Sequence, residues 1–137
     1  MEPFPVKAEK ISGFDDANIV KNAKDFFATI ERKTKRRPYI RSAYFDKQKI
    51  FFTYFWHHLF QKPPKERRMR IQFLACAIEL VQKSKNAPST KENPNKPSEL
   101  LHRFVGITKE KEVFYVQIKE NKKTDRKELM SVFPQVR

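Results

Sequence analysis

The apolar positions of this chain change their period along its length. Met1 to Gly13 follows none: Pro3 and Pro5 withhold backbone donors and Gly13 suits a turn, so an irregular leader is expected. From Asp15 onward Ala17, Val20, Ala23 and Phe27 recur at three- and four-residue steps, with Ile19, Phe26 and Ile30 widening the stripe. That spacing predicts a first helix, opened by Asp15 and Asp16 where the helix dipole favours negative charge. Ser42 to Gln61 reads as a second helix, with Ile50, Phe51, Tyr54, Phe55, His58 and Leu59 on one face and Phe45, Phe52, Trp56 and Phe60 around it. A strand over part of KIFFTYFWHHLF fits the same residues, but the length and flanking charges favour a helix. Pro63 and Pro64 end it, and Lys65 to Lys83 reads as a third helix with the stripe Met69, Phe73, Cys76, Ala77 and Leu80.

Composition then shifts. SKNAPSTKENPNKP, from Ser84 to Pro97, has almost nothing to bury and reads as a surface linker. Three alternating segments follow: Leu100 to Val105, Val113 to Lys119 and Glu128 to Phe133, separated by turn material. The expected organisation is one domain over residues 1–137, with a helical part at 14–83, a linker loop at 84–98 and an antiparallel strand part at 99–134. The expected fold class is α+β, N-terminal helices packed on a small antiparallel sheet of three or four strands. The fourth strand falls in Met1 to Ile11, in Pro38 to Tyr44, or is absent.

Alternation sorts the strand faces. Phe114, Val116 and Ile118 form a core face, and Tyr115, Gln117 and Lys119 point the other way. In the last strand Met130 and Val132 share one face, and Leu129, Ser131 and Phe133 the other. His102 travels with Leu100 and Phe104, and Arg103 with Leu101 and Val105, so hydrophobicity leaves the first strand's facing open. Chemistry favours placing His102 beside Tyr115, Gln117, Lys119 and Ser131.

Charge narrows the partner. Lys and Arg number 30 against 16 Asp and Glu, a net charge of +14, which points to a polyanion. RNA or DNA leads because a cationic surface gains entropy by releasing counterions; anionic lipid is the rival. The tract Lys33 to Arg41 concentrates Lys35, Arg36, Arg37 and Arg41 around Tyr39, and reads either as a phosphate-contacting surface or as a solvated helix end. Cys76 is the one cysteine, which excludes an internal disulfide and a cysteine-built metal site. His57 and His58 are adjacent, so they do not share a helical face as zinc ligands would, and no metal or cofactor is expected. With two glycines in the chain, a glycine-built nucleotide cradle is implausible. MEPFPVKAEK lacks a long apolar core, which argues against a signal peptide or membrane anchor and makes a cytoplasmic location the expectation.

Metal-free RNA cleavage needs a base for the ribose 2′-hydroxyl, an acid for the leaving 5′-oxygen and cations for the phosphate. His102 titrates in the required range, Lys119 and Arg126 supply positive charge, and Ser131 offers a hydrogen bond to phosphate or to His102. Arg103, Tyr115 and Gln117 are candidates for binding a base, ribose or phosphate. Each residue also has an ordinary reading: a packed histidine, solvated cations, a tyrosine covering a sheet edge.

The segments LLHRFVG, VFYVQIKE and DRKELMSVFP, following helices, resemble the strand region of the barnase, EndoU, colicin and RelE-like superfamily of small ribonucleases, above all its phage and mobile-element members. The resemblance is best over Ser98 to Pro134. It implies helices packed on a four-stranded antiparallel sheet, metal-independent endoribonuclease activity, and a toxin neutralised by an inhibitor or antitoxin protein. It also implies that His102, Lys119, Arg126 and Ser131 occupy active-site positions. Two alternatives stand beside it: a noncatalytic RNA- or DNA-binding module, and a protein-interaction or phage structural component using the aromatic helix, a homodimer among the options. The enzyme reading requires the four residues to converge in an accessible basic groove.

Overall fold

The computed structural model of the protein describes residues 2–135; Met1, the first residue of the expected leader, lies outside them. The elements in chain order are β1 (Phe4–Pro5), α1 (Asp16–Arg32), β2 (Tyr39–Arg41), β3 (Lys49–Phe51), α2 (Thr53–Phe60), α3 (Pro64–Ile71), α4 (Leu74–Lys83), β4 (Ser89–Asn93), β5 (Lys96–Ile107), β6 (Val113–Asn121) and β7 (Lys127–Pro134). The class is α+β, but the sheet is not the small antiparallel one that the pattern predicts. It has seven strands, in the order β1-β5-β6-β7-β3-β2 with β4 also on β5, and it curls toward a half-barrel. It is also mixed: β1 runs parallel to β5 and β3 parallel to β7. The extra strands escape periodicity because β1 to β3 are two or three residues long, and β4 is a mostly exposed polar strand with no apolar face to alternate.

Those strands redraw the expected segments. Both candidate places for a fourth strand hold one, β1 and β2. The predicted second helix opens as a turn at 43–47, continues as β3 and becomes helical at Thr53, and the predicted linker contains β4 and the start of β5, a hairpin turning at Pro94 and Asn95. The predicted third helix breaks between α3 and α4 at Gln72 and Phe73; the Gln72 carbonyl accepts from the Ile11 amide at 2.8 Å. On α4, the Glu79 carboxylate accepts from the Lys7 and Ala8 amides, both at 2.8 Å. The leader is therefore stitched to α4 and β5. Among the described residues no helix is long and apolar enough to cross a membrane.

α1 behaves as its sequence suggests. Asp15 caps it by accepting from the Asn18 amide at 2.8 Å, and Ile19, Ala23, Phe27 and Ile30 bury one face. The main core lies between the helices and the sheet face carrying Phe104, Phe114, Val116 and Ile118. Gly106 sits on that face, where an added Cβ would lie 2.7 Å from Leu80 of α4 and 2.5 Å from Phe114. Its bare backbone is what lets α4 approach the sheet. α2 and α3 pack against β7 beyond the point where β3 stops pairing with it.

A bulge corrects the expected facing of β7. Gln117 pairs with Ser131 but Ile118 pairs with Leu129, leaving Met130 as an extra residue. Leu129 therefore joins Ile118 and Val132 in the core instead of sharing the face of Ser131 and Phe133. The same shift turns Lys127 inward, with only 3% of its surface exposed. Its ammonium donates to Gln48 Oε1, to Asp125 Oδ1 at 2.8 Å and to the Asp125 carbonyl at 3.2 Å, with Glu120 at 3.8 Å and the Phe45 ring below it. Lys127→Met removes the cation and leaves Glu120 and Gln48 without it. The expected loss is about 3 kcal/mol of unfolding free energy, read from urea titration.

Candidate nucleic-acid interface

The basic tract after α1 folds back over the β2–β3 ribbon. Lys33, Thr34, Lys35, Arg36 and Arg37 form one wall of a cleft of about 780 Å³, Tyr39 of β2 and Lys49 and Phe51 of β3 form its floor, and Arg126 closes it from the β6–β7 turn. Tyr39 and Phe51 are cross-strand partners, so alternation sends both rings to the same face. Their centroids are 5.9 Å apart, edge to face. Lys49 stands 4.7 Å from the Tyr39 ring, Arg41 5.5 Å from it, and Arg126 4.0 Å from the Phe51 ring. Among the described residues no carboxylate lies within ion-pair distance of Lys33, Lys35, Arg36, Arg37 or Lys49, whereas Arg126 has Glu128 at 3.6 Å. Five cations gathered this closely, with no ion-pair partner among the described residues, produce a local positive potential.

The sheet register links this cleft to the face opposite the helix-packed core. Tyr39, Phe51, Glu128 and Lys119 stand in one cross-strand row. Lys119 Nζ is 4.0 Å from the Tyr54 ring and 3.7 Å from Glu99. Farther along the same face, Arg103 pairs with Gln117, and its guanidinium stands over Tyr115 at 5.7 Å and Phe133 at 5.4 Å. Gln117 in turn pairs with Ser131, but Ser131 is buried beneath α2 and α3, beside His58 and Arg70.

His102 lies on the other side of the sheet. It pairs with Ile118 on the core face, packs edge-on against Phe45 at 5.0 Å, and is 6% exposed. The Glu120 carboxylate accepts from Nε2 at 2.8 Å, and the Thr90 hydroxyl meets Nδ1 at 2.8 Å. Of the residues singled out from the sequence, the structure thus gathers Lys35, Arg36, Arg37, Tyr39 and Arg126 at the cleft, with Arg41 beside the Tyr39 ring, and Arg103, Tyr115 and Gln117 on the sheet face. It does not bring His102, Lys119, Arg126 and Ser131 into one groove. Their strand positions are adjacent in sequence pattern, but His102 has the parity of Phe104, which packs on Tyr44 and Phe45, and of Gly106, which meets Leu80 of α4.

No group of three or more His, Cys, Asp or Glu residues able to hold a metal ion occurs among the described residues. Cys76 is buried, and burial, then the Glu79 charge, pushes its thiol up to about 11, leaving it protonated at neutral pH. Lys49 and Phe51 belong to the cleft, yet the sequence hides them because KIF is continuous with an aromatic run whose length favours a helix. Reading it as a strand opposite YIR would have placed both beside Tyr39.

His58 carries a pH signature. Burial, then the charges of Lys62 and Arg70, lower its pKa from the ordinary value of 6.5, with Glu66 opposing. A histidine depressed in the folded state takes up its proton more readily when unfolded, so its contribution is complete above about pH 6.5 and is lost as pH falls through the folded-state value. The melting temperature is expected to fall on acidification from about pH 7 to 5, and less so in His58→Gln.

Comparison with known protein families, curated proteins and solved structures finds no match to the chain.

Proposed function

We propose that the protein is a noncatalytic nucleic-acid-binding module that holds single strands in the cleft between the Lys33–Arg37 tract and the β2–β3 ribbon. One observation carries this reading: cations from the tract, from β3 and from the β6–β7 turn converge on two aromatic rings at the open end of the sheet. Phosphates lying along such a wall release counterions, while unpaired bases find π-faces on the floor; a duplex keeps its bases stacked and has no use for the rings. The Arg103, Tyr115 and Phe133 cluster repeats the same chemistry farther along the sheet and lengthens the track.

Cleavage through His102 has less support. Its two nitrogens are already engaged by Thr90 and Glu120, and its surface is closed to a ribose. A general base must come within hydrogen-bond reach of the hydroxyl it activates.

Binding of a fluorescent single-stranded oligonucleotide should weaken steeply with salt. The triple variant Lys35→Ala, Arg36→Ala, Arg37→Ala should reduce the slope of log affinity against log salt by about 2, roughly 0.7 for each phosphate no longer neutralised. RNA incubated with the protein in chelator should stay intact. Salt-insensitive binding would sink the cleft assignment, and cleavage that disappears in His102→Ala would restore the ribonuclease reading.

A further inference from the structure

A second cavity lies behind the ribbon that floors the cleft. It measures about 420 Å³ and is lined by Lys24 and Glu31 of α1, by Pro38, by Thr53, and by Trp56 and Phe60 of α2. Its volume falls within the range of about 300 to 1,000 Å³ found for small-molecule pockets. The two cavities are neighbours by register: Tyr39 and Phe51 face the cleft, and Pro38 and Phe52, one residue away on each strand, line the second cavity. β2 is the terminal strand of its sheet edge, so a chain leaving the cleft reaches this cavity by passing Arg37 and Pro38.

The lining is that of a site for a flat ring. Trp56 stacks on Phe60 with ring planes 20° apart and is braced edge-on by Phe27 at 5.2 Å, so its indole is held as a fixed plate. Lys24 stands 5.1 Å and Arg67 5.0 Å from the Phe60 ring, keeping positive charge at the rim where a phosphate would sit. Glu31 is the exception in this basic neighbourhood. It is exposed, lines the cavity, and has no ion-pair partner among the described residues. An unpaired carboxylate beside an aromatic plate calls for a ligand that stacks and offers two adjacent N–H donors. Among the four bases, guanine has this arrangement, in its ring N1–H and exocyclic amine; adenine, cytosine and uracil lack it.

We infer that this cavity receives one unpaired guanine of the strand bound in the neighbouring cleft, its ring on Trp56 and its Watson–Crick edge on the Glu31 carboxylate. The inference rests on the single-strand reading above and adds a base preference to it. The cleft supplies sequence-independent affinity through phosphates, and the cavity supplies selection through one base edge.

Trp56 is the only tryptophan of the chain, so its emission reports occupancy directly. The full chain is titrated with an all-pyrimidine oligonucleotide, the same strand with one central guanine, and the same strand with adenine at that position. The guanine strand should quench Trp56 and bind at least about tenfold more tightly than the adenine strand, the scale of a bidentate hydrogen bond to a charged group. Glu31→Gln should abolish that preference while leaving pyrimidine-strand affinity nearly unchanged. Equal affinities for all three strands with unchanged Trp56 emission would overturn the guanine site and leave the cleft reading standing. Failure to bind any strand would remove both. Quenching that grows with protein concentration alone, with a dimer in sedimentation, would assign the cavity to a second copy and also overturn the proposal.

Discussion

The ammonium of Lys127 is held almost out of water between Phe45, Gln48, Glu120 and Asp125, at the place where β3 pairs in parallel with β7. A buried lysine is tolerated only where donors are matched by acceptors and charge by charge. Here those acceptors come from three places: the β2–β3 connection, the end of β6 and the β6–β7 turn. The ammonium therefore fastens the short β3 strand to β7 where backbone pairing alone spans two residues. In return, the hydrogen bond and charge of Lys127 hold the exposed Asp125 carboxyl below the ordinary carboxylate range. That turn also carries Arg126 to Phe51, so the closing wall of the cleft depends on a contact made beneath it.

The same network accounts for His102. Glu120 accepts from its Nε2 and has Lys127 on its other oxygen, so histidine, carboxylate and ammonium form a connected strip along the inner face of β5, β6 and β7. Its imidazole works as an internal polar strut, joined at its far end to the exposed edge strand β4 through Thr90. A polar group in such a place stabilises the fold only when every partner is present. Reactivity asks for the opposite condition, an open coordination or hydrogen-bonding position.

Charge is partitioned in a way that composition could not reveal. Asp16 meets Arg68, Glu66 meets Arg70, Glu112 meets Lys10, and Glu120 meets His102. The first joins α1 to α3, the second lies within α3, the third joins the leader to the β5–β6 turn, and the fourth joins β5 to β6. The acidic residues are drawn toward the structural half of the molecule, and the tract after α1 is left without compensation. A surplus of +14 spread evenly would attract polyanions weakly everywhere. Lys33, Lys35, Arg36, Arg37 and Lys49, gathered around Tyr39 and Phe51 without ion-pair partners among the described residues, give this face a local positive potential.

By itself the sequence determined α1 and the acidic residues at its start, the α+β class, the alternation of β6 and the basic, aromatic character of residues 33–41, because each of these follows from neighbours along the chain. It could not determine β1, β2 and β3: two or three residues carry no period, and their strand state exists only because a distant strand supplies hydrogen-bond partners. It could not place Leu129 correctly or show that Lys127 turns inward, since a one-residue bulge at Met130 inverts alternation before it and leaves composition unchanged. It left the facing of His102 open because Leu100, His102 and Phe104 alternate with Leu101, Arg103 and Val105, two sets with nearly equal apolar content. Tertiary structure decided it, through the space that Gly106 opens for Leu80 on one side of β5 and the hydrogen bonds that Glu120 and Thr90 offer there.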